Sequence, residues 1–184
     1  MSVFEALAEA GLAPAQPAPA RVDERTVRAA LAEVMDPELP MLSIADLGII
    51  HRVEIDEAIG GPIRVEILPT FVGCPALGLI RDSIAHRLGV FGCPVRVDVT
   101  FAVPWTTDRI SAEGRRQLSR AGIAPPGPLG VLAVGGLVSL EARVPCPHCG
   151  SRRTVLENAF GPTQCRTIRH CEACRQPFEA IKPV

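Results

Sequence analysis

Leu68-Pro69-Thr70-Phe71-Val72-Gly73-Cys74-Pro75-Ala76 is the stretch on which the main fold turns. Before it, Ile63, Val65 and Ile67 alternate with Arg64 and Glu66, the period of a strand with one covered face. After it, Leu77, Ile80, Ile84 and Leu88 recur at helical spacing. Proline suits the first helical position, because its missing N–H would have no partner there anyway. Cys74 therefore falls where strand gives way to helix, against unpaired amides and the positive end of the helix dipole. That placement predicts a lowered thiol pKa and a thiolate ready to bind metal or attack an electrophile. A buried cysteine filling a tight turn is the plainer reading of the same residue.

Working outward, Gly60-Gly61-Pro62 marks a turn into this strand, and Ile49, Val53 and Ile55 place another strand before the turn. Further upstream, Asp23 can cap a helix whose Val27, Ala30, Leu31 and Val34 form one stripe. That helix should end before Asp36-Pro37-Glu38-Leu39-Pro40, since proline disfavours helix at the residue preceding it. Downstream, Val95, Val97, Val99 and Phe101 alternate with Arg96, Asp98 and Thr100 as a third strand. The order helix-strand-strand-helix-strand predicts an α+β domain, a small sheet with helices on one face. Antiparallel pairing across Gly60-Gly61 would bring the 36–46 loop back beside Thr70 and Cys74. Asp36, Glu38 and Asp46 would then share a rim with the thiol, opposing its ionisation unless a cation binds. Ordinary turn chemistry accounts for Asp36 and Asp46 as well, and for Asp46 alone it is the better account.

Gly92-Cys93-Pro94 repeats the Gly-Cys-Pro string, but a helix of roughly 14 residues holds the two cysteines about 20 Å apart. Cys93 is read as packing. Beyond it, Pro104-Trp105-Thr106-Thr107-Asp108 opens a further helix, with Thr107 or Asp108 as its cap and Gly122 as its end.

The chain has 184 residues, 47% of them apolar, and a net charge of −1 that gives no strong electrostatic steer. No basic segment followed by an apolar core marks a secretory signal near the N-terminus. The expectation is a cytoplasmic protein whose seven cysteines serve as thiols and metal ligands rather than disulfides. Residues 121–140 carry no charge, yet three prolines and five glycines would break a membrane helix repeatedly. They read as a linker with a short buried strand. Ser2 and Glu5 suggest a capped helix ending at Gly11, followed by the semi-rigid Pro14-Ala15-Gln16-Pro17-Ala18-Pro19. The expected organisation is therefore helix and linker over 1–20, main domain over 21–123, Pro/Gly linker over 124–140, and a small module over 141–184.

That last module holds the most specific signal. Cys146-Pro147-His148-Cys149 and Cys171-Glu172-Ala173-Cys174 are two Cys-x-x-Cys pairs with 21 residues between them. Two such turns facing each other present four sulfurs at tetrahedral spacing for zinc, with iron the chemical rival. Strands over 153–159 and 163–170 would make the module a zinc ribbon. A closed four-sulfur site has no open position for substrate, so its zinc is structural. His148 would strain to join its own knuckle. Cys165 is left over, as a core thiol or as a ligand shared with a partner.

Asp36-Pro37-Glu38-Leu39-Pro40, Ser43-Ile44-Ala45-Asp46-Leu47-Gly48 and residues 70–75 resemble the DUF59 domain of iron–sulfur assembly proteins such as SufT. Pro104-Trp105-Thr106-Thr107-Asp108, Gly122-Ile123-Ala124-Pro125-Pro126 and a ribbon ending Pro177-Phe178 narrow the resemblance to the PaaD family, encoded with the multicomponent phenylacetyl-CoA oxygenase (epoxidase). It covers the chain from about residue 21 onward, with Phe71 where the family suggests Tyr and Arg109 where it suggests Trp. The resemblance implies a maturation factor and not an enzyme. Its partners would be the reductase and oxygenase components, and its task the delivery or insertion of the reductase's cluster. Cys74 would hold iron or a cluster transiently, with Asp46, Thr70, Asp36 and Glu38 around it. Since a cluster takes four cysteine thiolates, a second protomer in a homodimer, or the client, would supply other ligands.

Three rivals remain. One is a structural or regulatory component of the oxygenase. Another is a nucleic-acid-binding ribbon: residues 141–184 hold seven Lys/Arg against four Glu, a small excess, with Phe160 and Phe178 the only aromatics to stack on bases. The third is a thiol enzyme, which needs a base near Cys74. His86 lies three turns along the helix and His51 on an apolar strand, so no Cys–His pair is evident.

Overall fold

The computed structural model describes residues 22–56, 58–71, 73–127, 133–134, 137–138 and 144–184. The expected N-terminal helix and its Pro/Ala linker lie outside these residues. Helix α1, Glu24–Leu31, starts as its sequence demands: the Asp23 carboxylate accepts the Thr26 amide at 2.7 Å. Its stripe of Val27, Ala30 and Leu31 is buried. Strands β1, Ile50–Ile55, and β2, Ile63–Ile67, pair antiparallel, with Ile55 opposite Ile63. Helix α2, Leu77–Gly89, carries the chain across to β3, Val95–Val99, which lies parallel to β2. The sheet order is β1-β2-β3. Ile63, Val65 and Ile67 are buried on one sheet face while Arg64 beside them is exposed, and Ile80, Ile84 and Leu88 of α2 close over the apolar side. Each such fully buried side chain contributes about 1.5–3 kcal/mol.

Two details depart from the sequence reading. Phe101 does not continue β3: it lies past the strand end and is 65% exposed. The further helix, α3 (Ala112–Arg120), begins later than expected, after a 3₁₀ turn over Thr107–Arg109. Ser111 is its cap, its hydroxyl accepting the Gly114 amide at 2.8 Å, rather than Thr107 or Asp108. Trp105 turns inward instead of opening the helix, and its indole N–H donates to the Leu47 carbonyl at 3.0 Å.

The second sheet joins the two halves of the chain. Its order is β4-β9-β8-β7, built from β4 (Ile123–Ala124), β7 (Thr154–Asn158), β8 (Arg166–Cys171) and β9 (Pro177–Ile181). Strands β7, β8 and β9 form an antiparallel ribbon. Strand β4, directly after α3, pairs parallel with β9, Ile123 opposite Glu179 and Ala124 opposite Ala180. Ala124, expected to open the linker, is thus a strand residue of the ribbon sheet. Ile181 is buried in the main-domain core, and the Thr107 amide donates to the Val184 carbonyl at 3.0 Å. The 121–140 run contains a further two-residue pairing, β5 (Ala133–Val134) with β6 (Leu137–Val138); the burial of that segment lies outside the described residues. Among the described residues no helix is long and apolar enough to cross a membrane.

Candidate functional site

Two cysteine centres emerge. In the ribbon, the sulfurs of Cys146, Cys149, Cys171 and Cys174 all lie within 4.8 Å of one another. Cys146 faces Cys174 at 3.7 Å, and Cys149 faces Cys171 at 3.6 Å. The two knuckles repeat one geometry. In the first, the Gly150 amide donates to the Cys146 carbonyl and the Cys146 amide to the Ser151 carbonyl. In the second, Arg175 donates to Cys171, and Cys171 to Gln176. Each turn ends in a left-handed residue, Gly150 at φ 73° and Arg175 at φ 61°.

The backbone amide of Cys174, then that of Ala173, lower the Cys171 thiol to about 6. The Gln176 amide favours a Cys174 thiolate, but burial and the neighbouring thiols Cys149, Cys171 and Cys146 push that group up to about 12. Four sulfurs this close cannot all ionise without a cation between them. A donor set of four thiols, at this separation and on amide-lined turns, fits zinc as a closed structural site.

The second centre is Cys74. Its amide donates to the Phe71 carbonyl at 3.2 Å, and Gly73 before it stands at φ 85°, so the thiol sits on a tight turn ahead of α2. It is half-buried at the mouth of a cavity. Asp36, Glu38, Thr70, Trp105 and Cys165 line the inner part, about 20 Å³ in volume, room for about one water or ion. Outside it opens a cleft of about 330 Å³, with Glu38, Thr70, Phe71 and Cys74 on one bank and residues 160–165 of the ribbon on the other.

The electrostatics overturn the expected thiolate. Burial pushes the Cys74 thiol up, the Ala76 amide pulls it back, and the carboxylates of Glu38 and Asp36 push it further. Proximity to the start of α2 does not compensate, because Ala76 and not Cys74 is the N-cap and only one amide donates to the sulfur. Without a cation this is a neutral thiol beside acids.

The site residues read from the sequence divide in two. Thr70, Glu38, Asp36 and Cys74 do line one cavity. Asp36 is buried and held by the turn, one carboxylate oxygen accepting the amides of Glu38 and Leu39 at 2.8 Å each. Burial raises its pKa against those two donors and Arg166. Asp46 is not brought to the cavity. Its carboxylate accepts the Ser43 hydroxyl at 3.0 Å and the Ser111 hydroxyl at 2.5 Å, and its carbonyl accepts the Ser111 amide at 2.8 Å. It anchors the start of α3 to the 43–46 turn. Cys93 sits at the far end of α2, its thiol donating to the Phe91 carbonyl at 3.6 Å. Among the described residues no histidine lines either part of the cavity, so Cys74 has carboxylates but no imidazole beside it. In the ribbon, Phe178 is buried and only Phe160 is exposed, which leaves little to stack on bases.

Cys165 is the residue whose placement the sequence did not give away. Its carbonyl accepts the Lys182 amide at 2.9 Å, extending the β8–β9 ladder, and its sulfur lies 3.1 Å from the Thr163 hydroxyl. Arg166 next to it binds three groups. It donates to Thr163 at 2.8 Å, to the Glu179 carboxylate at 2.6 Å, and across the junction to the Glu38 carbonyl at 3.2 Å. The ribbon is thereby fixed to the loop that presents Glu38, with Cys165 facing the Cys74 cavity.

Two family models match successive parts of the chain. A family model for iron–sulfur cluster assembly proteins matches residues 24–103, and one for the PaaD zinc beta ribbon domain matches residues 134–182. The chain is 33% identical over 92 residues to an Fe-S protein maturation auxiliary factor of Porphyromonas gingivalis, covering 48% of this chain and 83% of that protein. A crystal structure of a DUF59 domain from Bacillus anthracis, 28% identical, covers 52% of this chain and 90% of its own, with a TM-score of 0.48. Over 166 residues, 90% of this chain and 94% of the other, it is 34% identical to a putative 1,2-phenylacetyl-CoA epoxidase subunit of Escherichia coli. With both domains matched in order and that relative spanned almost end to end, the chain belongs to the PaaD family.

Proposed function

We propose that the protein is a maturation factor for a multicomponent phenylacetyl-CoA oxygenase, working in the cytoplasm to deliver or insert the iron–sulfur cluster of the reductase component. The observation that carries this reading is the Cys74 cavity, where a thiol, the Glu38 carboxylate and the Thr70 side chain meet at an open cleft with no histidine beside them. A thiol with no imidazole beside it, and with a pKa raised by burial and carboxylates, makes a poor nucleophilic catalyst. The same thiol beside acids is a reasonable seat for a cation in transit, because a positive charge offsets both the burial and the carboxylate repulsion that keep the sulfur protonated. The role is accessory rather than catalytic. Open access from the cleft lets the reductase, or a second protomer, complete the ligand set as cargo passes.

Cys74→Ser tests this in cells. A cluster-handling thiol predicts a folded, abundant mutant protein and a reductase that accumulates with little iron or sulfide. A structural or regulatory component predicts a fully loaded reductase with impaired turnover of the oxygenase. Iron and sulfide are measured in reductase purified from wild-type and mutant strains, and full loading in the mutant refutes the maturation role of Cys74.

A further inference from the structure

Two thiols from opposite halves of the chain open on the same cavity: Cys74, on the turn before α2, and Cys165, at the residue before β8. Their carriers are fixed independently. Cys74 is held by the turn at Phe71, whereas Cys165 is held by its bond from the Lys182 amide and its contact with Thr163. Arg166 then ties the Cys165 side to the loop that presents Glu38, through Thr163, Glu179 and the Glu38 carbonyl. Glu38 lines both the inner cavity and the outer cleft with them, and its carboxylate acts on both thiols.

We propose that Cys165 is a second sulfur ligand for the iron or iron–sulfur cluster handled at Cys74, so that the ribbon closes a two-thiol clamp with Glu38 at its rim. This rests on the maturation reading above and deepens it. Sulfur ligands suit iron, and a cluster needs four of them. Two from this chain leave two for the client or another copy, a division that lets cargo be held and then handed on. On coordination, two S–H bonds are replaced by two S–Fe bonds, two protons pass to solvent, and the oxidation state of iron does not change.

The clamp also gives the zinc centre a task. β8 ends in Cys171, a residue of the four-sulfur site, and begins just after Cys165. A strand of this length spans roughly 20 Å. Zinc bound at one end fixes the strand whose other end presents the second thiol. In this way a closed structural site sets the geometry of an open one.

The test uses the full chain, zinc-loaded, reduced beforehand and kept from air, with ferrous iron added alone or with ferric and ferrous iron added together with sulfide, so that cluster assembly needs no further oxidant. Iron and sulfide per chain are measured, and alkylation at each cysteine is mapped by mass spectrometry. Bound iron should protect Cys74 and Cys165 together, slowing both at least about tenfold. Cys165→Ala and Cys165→Ser should hold iron at least about tenfold less well against a chelator, since even loss of an outer-shell partner costs 10–100-fold. Unchanged zinc content would show that these variants are folded. Should they lose zinc, protection in the wild-type chain decides. Iron bound with Cys165 still labelling at its iron-free rate overturns the clamp and leaves the Cys74 reading standing. A wild-type chain that takes up no iron overturns both.

Discussion

Removing zinc should weaken the main domain as well as the ribbon, a coupling that two domains joined by a loose linker would not show. The perturbation is Cys171→Ser, which deletes one of the four sulfurs. The ribbon's strands then lose the cation that holds its two knuckles together. What the main domain loses can be read from the junction. Ile181 of β9 is only 5% exposed and lies in the main core, so its withdrawal costs about 1.5–3 kcal/mol. The Arg166 bond to the Glu38 carbonyl adds about 1 kcal/mol. Partial burial of the same groups in the unfolded chain trims the sum to about 2–4 kcal/mol. Trp105, the only tryptophan in the chain, is buried in the main domain and lines the same cavity as Ile181, so its fluorescence reports this half specifically. For a domain of this size, that loss should lower the urea midpoint seen by Trp105 by about 1–2 M. The main domain should remain folded in the absence of urea. An unchanged Trp105 midpoint in a mutant shown to lack zinc would refute the reasoning, and would mean that the β4–β9 junction contributes nothing to the main core.

Two further outcomes are expected. The raised pKa of Asp36 means that its charge is disfavoured by folding, so stability is fullest below the unfolded value of 3.8 and is lost as pH rises through the folded value. Asp36→Asn keeps an acceptor for the Glu38 and Leu39 amides and removes that loss, so its stability relative to wild type should grow across this window and then level off. Asp36→Ala should instead cost about 1–3 kcal/mol by leaving two amides unpaired, and denaturation curves of both variants from pH 3 to 8 separate the cases. The Cys74 thiol, raised by burial and by Glu38 and Asp36, should alkylate in the metal-free site with a midpoint above the ordinary thiol value of 9.0. A midpoint below about 8.5 would show the amides ahead of α2 outweighing burial.

The main sheet was legible because its signals are local. Ile63, Val65 and Ile67 alternate with charged residues, Val27, Ala30 and Leu31 repeat at helical spacing, and the paired cysteines of the ribbon carry their own spacing code. Turn chemistry was legible too, since Asp36 does accept the amides that follow Pro37. What escaped depends on long-range pairing. Strand β4 has two residues, too few for any period, and β9 begins at a proline, which removes a donor and blunts the strand signal. Without those two strands the 124–140 run reads as a spacer, and nothing brings Cys165 toward Cys74. Asp46, placed at the site by the resemblance though local turn chemistry was the better account of it alone, sits in the 43–46 turn with Ser43, and Ser111, 65 residues away, also takes its carboxylate. The thiol pKa turned on a smaller offset. Pro75 suits the first turn of a helix, yet α2 is capped at Ala76, so Cys74 lies two residues ahead of the cap and receives one amide instead of several. Burial and carboxylates then set the sign. A thiol that stays protonated when the site is empty must give up a proton to any cation that binds, so metal uptake at Cys74 should strengthen as pH rises.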